Sequence, residues 1–98
     1  MNEYSLRQIN MMQKLCDDLV AQHADPSKFV TNQWALIDLV QADDPSFWSQ
    51  YQSVVNEIET VVAIALDAKG KIGPEEWVEI KRIAMRMQAL LNGILLSN

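Results

Sequence analysis

The chain contains few of the residues that cross-link a fold or interrupt its regular structure. Its 98 residues include one cysteine, three glycines and three prolines. The single cysteine, Cys16, excludes an internal disulfide framework and is typical of a protein from a reducing compartment. Because glycine and proline are the strongest breakers of regular structure, their scarcity predicts long regular segments.

A long apolar run is also missing. The longest run, residues 61–66, is far shorter than the roughly 20 residues that a membrane-spanning helix requires. The chain does not open with a basic segment followed by an apolar stretch, so we expect no secretory signal. These absences predict a cytoplasmic protein, or one that acts in the host cytoplasm if it is encoded by a phage.

The charge of the chain is negative and unevenly distributed. A net charge of −5 disfavours nucleic acids and anionic membranes as partners, because both are themselves negatively charged. Residues 1–49 carry seven of the 13 acidic residues but only three of the eight basic ones. Apolar residues make up 49% of the chain, which is enough for a hydrophobic core.

Each of the three prolines follows a residue that is suited to cap a helix. Proline is favoured at the first helical position, because an N–H group there would have no hydrogen-bond partner within the helix and its absence costs nothing. An aspartate before it accepts hydrogen bonds from the free N–H groups of the first turn. The three pairs that predict helix starts are Asp25-Pro26, Asp44-Pro45 and Gly73-Pro74.

Two further signals mark helix ends. Ser5 and Gln8 have the spacing of a capping box, which predicts that the first helix begins near Ser5. Asn92 and Gly93 tolerate left-handed backbone and predict a C-cap for the last helix.

Apolar residues recur at intervals of three and four through most of the chain, which is the period of an amphipathic helix. Residues 54–64 are rich in β-branched side chains and alone would suit a strand, but the segment is long and contains no turn signal. Short connections favour antiparallel neighbours. The sequence therefore predicts one all-α domain, residues 1–98, as a compact antiparallel four-helix bundle-like fold with helices at about 5–23, 26–40, 45–67 and 74–92.

Residues 67–77, DAKGKIGPEEW, resemble a shortened EF-hand calcium loop. The resemblance implies Asp67 as the first ligand and Glu75 or Glu76 as the closing carboxylate. Lys69 and Lys71 stand where acidic ligands belong, and calcium needs about six to eight oxygen ligands. We therefore predict no metal site here, but a polar turn in which Gly70 adopts a positive φ.

A basic cluster is the only candidate surface for phosphate or nucleic acid. On the last helix, however, Glu75 and Glu79 are followed by two of these arginines at spacings of 4, 3 and 4, which predicts a solvated mixed-charge face and a Glu79–Arg82 pair. Nucleic-acid binding is therefore expected to be weak at most. The cluster comprises Lys69, Lys71, Lys81, Arg82 and Arg86.

The sequence offers no catalytic constellation. Cys16 continues an apolar stripe and is predicted to lie in the core. His23 is predicted to lie near the C-terminus of the first helix and to interact favourably with the negative end of the helix dipole there. No serine or cysteine has a recognisable catalytic partner, and there is no glycine-rich phosphate loop. We predict no enzymatic activity and no cofactor.

The last helix carries more apolar residues than one buried stripe needs. This surplus fits a partner surface, most simply a second copy of the chain, unless the core of a single copy absorbs it. Three tryptophans add a residue type that is enriched at interface hot spots. The surplus comprises Met85, Met87, Leu90, Leu91, Ile94, Leu95 and Leu96. The candidate interface residues are Trp34, Trp48, Trp77, Met87, Leu90, Leu91, Ile94 and Leu95.

These observations predict a non-enzymatic helical protein–protein interaction module that forms a homodimer through the apolar end of the last helix. The alternative is a small acidic inhibitor, of the kind that phages and mobile elements encode, which occludes a site on a host protein through its acidic first half. A minor alternative is weak nucleic-acid or metal binding.

Overall fold

Three of the four helices begin at the three prolines, as the sequence predicts. In a computed structural model, which describes residues 2–97, the chain forms α1 (Glu3–Val20), α2 (Pro26–Val40), α3 (Pro45–Lys69) and α4 (Pro74–Leu96). A short 3-10 turn, Gln41–Asp43, joins α2 to α3. The first and last residues of the predicted domain lie outside the described range.

The helix starts use different capping groups. Asp44 Oδ1 accepts a 3.2 Å hydrogen bond from the backbone N–H of Phe47, as expected for an aspartate before proline. At the start of α4, Glu76 Oε1 accepts a 2.9 Å bond from the backbone N–H of Gly73. Asp25 occupies the N-cap position of α2, but its side chain makes no capping bond.

The predicted capping box at Ser5 is wrong. The first helix begins at Glu3, and Asn2 caps it by accepting a 2.8 Å bond from the backbone N–H of Ser5. The Ser5 side chain is buried and donates its hydroxyl proton to Asp43, which ties the start of α1 to the 3-10 turn. The hydroxyl is therefore used in a tertiary contact that is distant in sequence and that local spacing does not indicate.

The predicted C-cap at Asn92-Gly93 is also wrong. The last helix continues through Gly93 to Leu96, and the only glycine with a positive φ among the described residues is Gly70. A glycine inside a helix costs roughly 0.5–1 kcal/mol relative to alanine. Burial of Ile94 and partial burial of Leu95 beyond it outweigh that cost. The ends of α1 and α3 also differ from the prediction, at Val20 and Lys69 rather than near 23 and 67.

The four helices form an antiparallel bundle in which each helix packs against two neighbours. The helices α1 and α3 both contact α2 on one side and α4 on the other. Their inward stripes meet in one core, which confirms the predicted all-α bundle. The largest fully buried side chains are Ile9, Met12, Leu19, Phe29, Ile37, Trp48, Tyr51, Ile58, Ile80, Ile83, Met87 and Leu91.

Hydrogen bonds between side chains also occur inside the core. Gln33 is fully buried on α2 and its amide contacts groups on α1 and α3. None of the described helices combines the length and the apolar composition that crossing a membrane would need.

Candidate interaction surface

The predicted interface residues fall into two groups. Trp48, Met87, Leu91 and Ile94 are buried in the core of the single chain, so they form no exposed surface. The other four are partly buried and pack against that core; one lies on α2 and three lie on α4. This second group comprises Trp34, Trp77, Leu90 and Leu95.

Trp34 lies at the edge of the buried face of α2. Its indole Nε1–H donates a 3.3 Å hydrogen bond to Glu59 on α3. The ring therefore takes part in the packing of α2 on α3 and is separate from the surplus of apolar residues on α4. The predicted residues do not come together as one patch.

The fourth helix nevertheless presents an apolar face to solvent. Val78, Met85 and Leu96 are 70%, 57% and 88% exposed, and Ala89 between them is exposed as well. Their separations of seven, four and seven residues place all four on one side of the helix, opposite the buried stripe. We call these four residues the outer stripe.

Gly93 lies beside the outer stripe in a position that nothing in the chain requires to be glycine. A Cβ atom built there would meet no atom within 4 Å. The residue is exposed and lies inside a helix, where glycine is unfavourable. Because Gly93 has no side chain and Ala89, one turn earlier, has a small one, another helix can approach this part of α4 closely.

The side of the outer stripe that faces α3 is charged. Arg82 donates hydrogen bonds to Glu79, which confirms the predicted pair, and Arg86 Nη1 lies 2.8 Å from Glu57 Oε1 on α3. The Arg82 guanidinium holds the pKa of Glu79 below its ordinary value. We call Glu75, Glu79, Arg82 and Arg86 the charge strip.

The side of the outer stripe that faces α1 is lined by amides. Gln88 Nε2 donates a 2.7 Å bond to Asp17 on α1, and Gln13 Nε2 donates to the Asn92 side chain. The outer stripe is therefore bordered by neutral polar groups on one side and by charges on the other. A polar rim around an apolar centre is the usual composition of a protein interface.

Other apolar side chains are exposed on other faces. Tyr4 and Met11 lie on α1, and Leu39 lies on α2. Ile64 and Leu66 are exposed on α3, at positions two residues apart that point to different sides of a helix. Met11 is 54% exposed, close to the value for Met85, and thus provides a natural control for the outer stripe.

The EF-hand-like segment forms a turn between α3 and α4. Gly70 adopts the left-handed conformation with φ of 71°, as predicted, and ends α3. Lys69 Nζ lies 2.7 Å from Glu76 Oε1, so a lysine binds one of the carboxylates that would have closed a calcium loop. Within residues 2–97, no group of three or more histidine, cysteine, aspartate or glutamate side chains has the arrangement of a metal site.

Cys16 lies in the core, as its place in an apolar stripe predicts. Burial raises the pKa of its thiol to about 12. Because the thiolate is the reactive form of cysteine, the group is protonated and unreactive at neutral pH.

Three of the aspartates in the acidic first half have partners within the chain. Asp17 accepts from Gln88, Asp43 accepts from Ser5, and Asp44 caps α3. These carboxylates lie at separate positions of the bundle: one in the seam between α1 and α4, the other two beside the 3-10 turn.

Comparison of the chain with protein-family models, with curated proteins and with solved structures gave no match in any of the three.

The predicted interface residues on α4 lie on the same helix as the outer stripe, but on its other sides. Met85 and Leu96 belong to the predicted apolar surplus, whereas Val78 and Ala89 do not. A count of the apolar residues on the side of the helix opposite the buried stripe would have identified Val78 and Ala89, because all four residues of the outer stripe lie on that side.

Proposed function

We propose that the chain is a non-enzymatic helical interaction module that forms a homodimer through the outer stripe of α4. The observation that carries this proposal is that α4 is apolar on two opposite sides. One side is already used by the core of the single chain, while Val78, Met85 and Leu96 remain largely exposed on the other. A helix on the surface of a lone bundle normally has a polar outer face.

Burial of the outer stripe is energetically favourable. Complete burial of a valine, leucine or methionine side chain contributes about 1.5–3 kcal/mol each. A standard interface removes about 800 Å² of surface from each partner, which is about one seventh of the 5610 Å² accessible surface of the chain. At 1.5 Å per residue, the 23 residues of α4 extend over about 35 Å, which is long enough for such a contact.

A second copy is the simplest partner for this face. The outer stripe is an uncharged apolar face, so a second copy can match it with the same residues. In a twofold pairing the same patch serves both partners, so an exposed apolar residue of one copy can lie against an exposed apolar residue of the other.

The test compares two methionine variants of nearly equal exposure. Met85→Glu places a charge in the outer stripe, and Met11→Glu places the same charge on the exposed side of α1. Sedimentation velocity and light scattering at micromolar concentration measure the mass of each variant and of the wild-type chain. We expect a dimer for the wild type and for Met11→Glu, and a monomer for Met85→Glu.

Two outcomes would contradict the proposal. A wild-type chain that stays monomeric up to hundreds of micromolar would remove the homodimer. A dimer that survives Met85→Glu but not Met11→Glu would move the contact to the exposed face of α1. Circular dichroism of each variant shows whether the bundle remains folded.

A further inference from the structure

The acidic and basic residues of the charge strip are ordered so that the strip is complementary to a second copy of itself that runs in the opposite direction. Reading along α4, two acidic residues, Glu75 and Glu79, precede two basic residues, Arg82 and Arg86. Glu75 and Arg86 are equally distant from the point between residues 80 and 81, and so are Glu79 and Arg82. All four lie beside the outer stripe on the same side of the helix.

This order discriminates between the two ways in which α4 can pair with a second α4. In a parallel twofold pair the axis runs along the helices and places the two charge strips on opposite sides of the contact, so the strips do not meet. In an antiparallel pair centred between residues 80 and 81, Glu75 faces Arg86 and Glu79 faces Arg82 of the second copy. A twofold axis perpendicular to the pair keeps the two charge strips on the same side of the contact, so these groups meet.

Two residues of the outer stripe, Val78 and Met85, fit nearly the same centre. Val78 and Met85 are equally distant from the point between residues 81 and 82, one residue further along the helix. The difference in height is small because the helix rises only about 1.5 Å per residue. One antiparallel arrangement therefore brings Val78 close to Met85 of the second copy while the opposite charges meet beside them. In this arrangement Ala89 lies level with the start of the second copy's α4, and Leu96 lies beyond it.

We infer that the partner of α4 is the antiparallel α4 of a second copy, held in register by Glu75–Arg86 and Glu79–Arg82 pairs that each occur twice. This inference rests on the proposed homodimer and adds its orientation and its electrostatic selectivity.

The pairs within one chain are compatible with this arrangement. The Glu79 and Arg82 side chains are 43% and 56% exposed while bound to each other, and Arg86 is 45% exposed while bound to Glu57. Each group therefore retains accessible surface for a second partner. Exposed ion pairs contribute little to stability, whereas charge complementarity across an interface selects the partner and the register.

The first experiment changes the charge strip to a single sign. Glu75→Arg with Glu79→Arg gives an all-basic strip, and Arg82→Glu with Arg86→Glu gives an all-acidic strip. We expect each variant alone to dimerise more weakly than the wild type, with an increase in Kd of about tenfold or more, because all four attractive contacts become repulsive. An equimolar mixture of the two variants should recover the dimer as a heterodimer.

Matched charge changes elsewhere provide the controls. Asp38→Arg with Asp67→Arg adds the same charge as the all-basic strip at exposed positions on α2 and α3. Arg7→Glu with Lys28→Glu removes the same charge as the all-acidic strip on α1 and α2. Both controls should dimerise with a Kd close to that of the wild type.

The second experiment determines the orientation. A variant with all four changes, Glu75→Arg, Glu79→Arg, Arg82→Glu and Arg86→Glu, reverses the strip and remains self-complementary in an antiparallel pair. We expect this variant to dimerise with itself but to exclude the wild-type chain from mixed dimers. Native mass spectrometry of an isotope-labelled mixture counts the three species.

The outcomes separate this inference from the proposed function. If the wild type dimerises and Met85→Glu disrupts it, but the single-sign strips dimerise as the wild type does, the charge-strip register is overturned and the outer-stripe dimer stands. If the reversed strip mixes freely with the wild type, the charge strips do not meet and the antiparallel pairing is overturned. A monomeric wild type removes the homodimer itself.

Discussion

The hydroxyl of Tyr51 donates a 2.7 Å hydrogen bond to Oε1 of Gln33 in the interior of the bundle. The Gln33 amide nitrogen lies 3.3 Å from the carbonyl oxygen of Met12 and 3.9 Å from the sulfur of Cys16. One glutamine on α2 thus links α1 and α3 through polar contacts inside an apolar core. Such contacts fix the relative heights of the helices, because a buried polar group that loses its partner is costly.

We expect Tyr51→Phe to destabilise the chain by about 1–3 kcal/mol, because it leaves Gln33 Oε1 buried without its donor. Gln33→Leu should be destabilising by a similar mechanism, since the tyrosine hydroxyl then loses its acceptor. The double variant should cost less than the sum of the two single variants, because no unpaired partner remains. Urea unfolding of the four proteins measures this coupling, and additive effects would show that the hydrogen bond contributes little.

The two sides of α4 should respond differently to the same substitution. Leu91 is fully buried and Leu96 is 88% exposed, although they lie five residues apart on one helix. Leu91→Ala should destabilise the folded chain by about 2–5 kcal/mol, because it removes buried methyl groups and leaves a cavity. Leu96→Ala should change the stability of the monomer by less than about 0.5 kcal/mol.

Thermal and urea unfolding at low protein concentration measure both leucine variants without a contribution from association. Equal effects would show that the end of α4 is not packed as the structure has it. In the same way, Leu91→Glu should unfold the chain rather than merely separate two copies, because it places a charge in the core.

The helix starts and the core stripes could be predicted from the sequence because they depend on local features. Proline at the first helical position and apolar residues at a period of 3.6 act within a few residues of each other. The pairing of Ser5 with Asp43 could not be predicted in this way, since the two residues lie 38 positions apart. Local spacing indicated a capping box there, but tertiary packing uses the hydroxyl elsewhere.

The surface on α4 could be predicted only in part, for a related reason. When a helix is apolar on two sides, its own sequence does not show which side is buried. Leu91 and Leu96 are therefore equally good candidates for the core until the positions of the other helices are known. The structure resolves this ambiguity because α1 and α3 cover one side of α4. The prediction at Gly93 is wrong for the same reason, since a glycine that ends a helix and a glycine inside a helix cannot be distinguished by residue type alone.

Gln22 offers a simple route to a more stable protein. It is the only residue other than glycine with a positive φ, 60°, among those that the structure describes. The backbone N–H of His23 donates a 2.8 Å bond to the carbonyl of Asp18, which is the pattern of a helix end that favours glycine. Gln22→Gly should raise the stability by about 0.5–1 kcal/mol, because a side chain is strained in this conformation.

For a domain of this size, a gain of 1 kcal/mol raises Tm by about 4–8 °C. Gln22→Ala is the control, since alanine shortens the side chain but retains the Cβ that causes the strain. A gain in Tm with alanine equal to that with glycine would mean that the long side chain, and not the backbone conformation, is unfavourable at this turn.

The ion pair at the turn between α3 and α4 should make stability depend on pH. Lys69 and the backbone N–H of Gly73 both bind Glu76 Oε1, at 2.7 Å and 2.9 Å, and they hold the pKa of this carboxyl below its ordinary value of 4.5. A carboxyl whose pKa is lower in the folded state stabilises the fold above its unfolded pKa. That contribution is lost as the pH falls through the folded value, where the carboxylate gains a proton.

We therefore expect Glu76→Gln to lower Tm at pH 7 and to have a progressively smaller effect as the pH falls below 4.5 towards about pH 2. Glu75→Gln, one residue earlier in the same turn, controls for the loss of a negative charge near the helix N-terminus. Thermal unfolding of the three proteins across this pH range measures the difference. If the Tm gap between the wild type and Glu76→Gln is the same at pH 7 and at about pH 2, Glu76 stabilises the turn by packing and not through its charge.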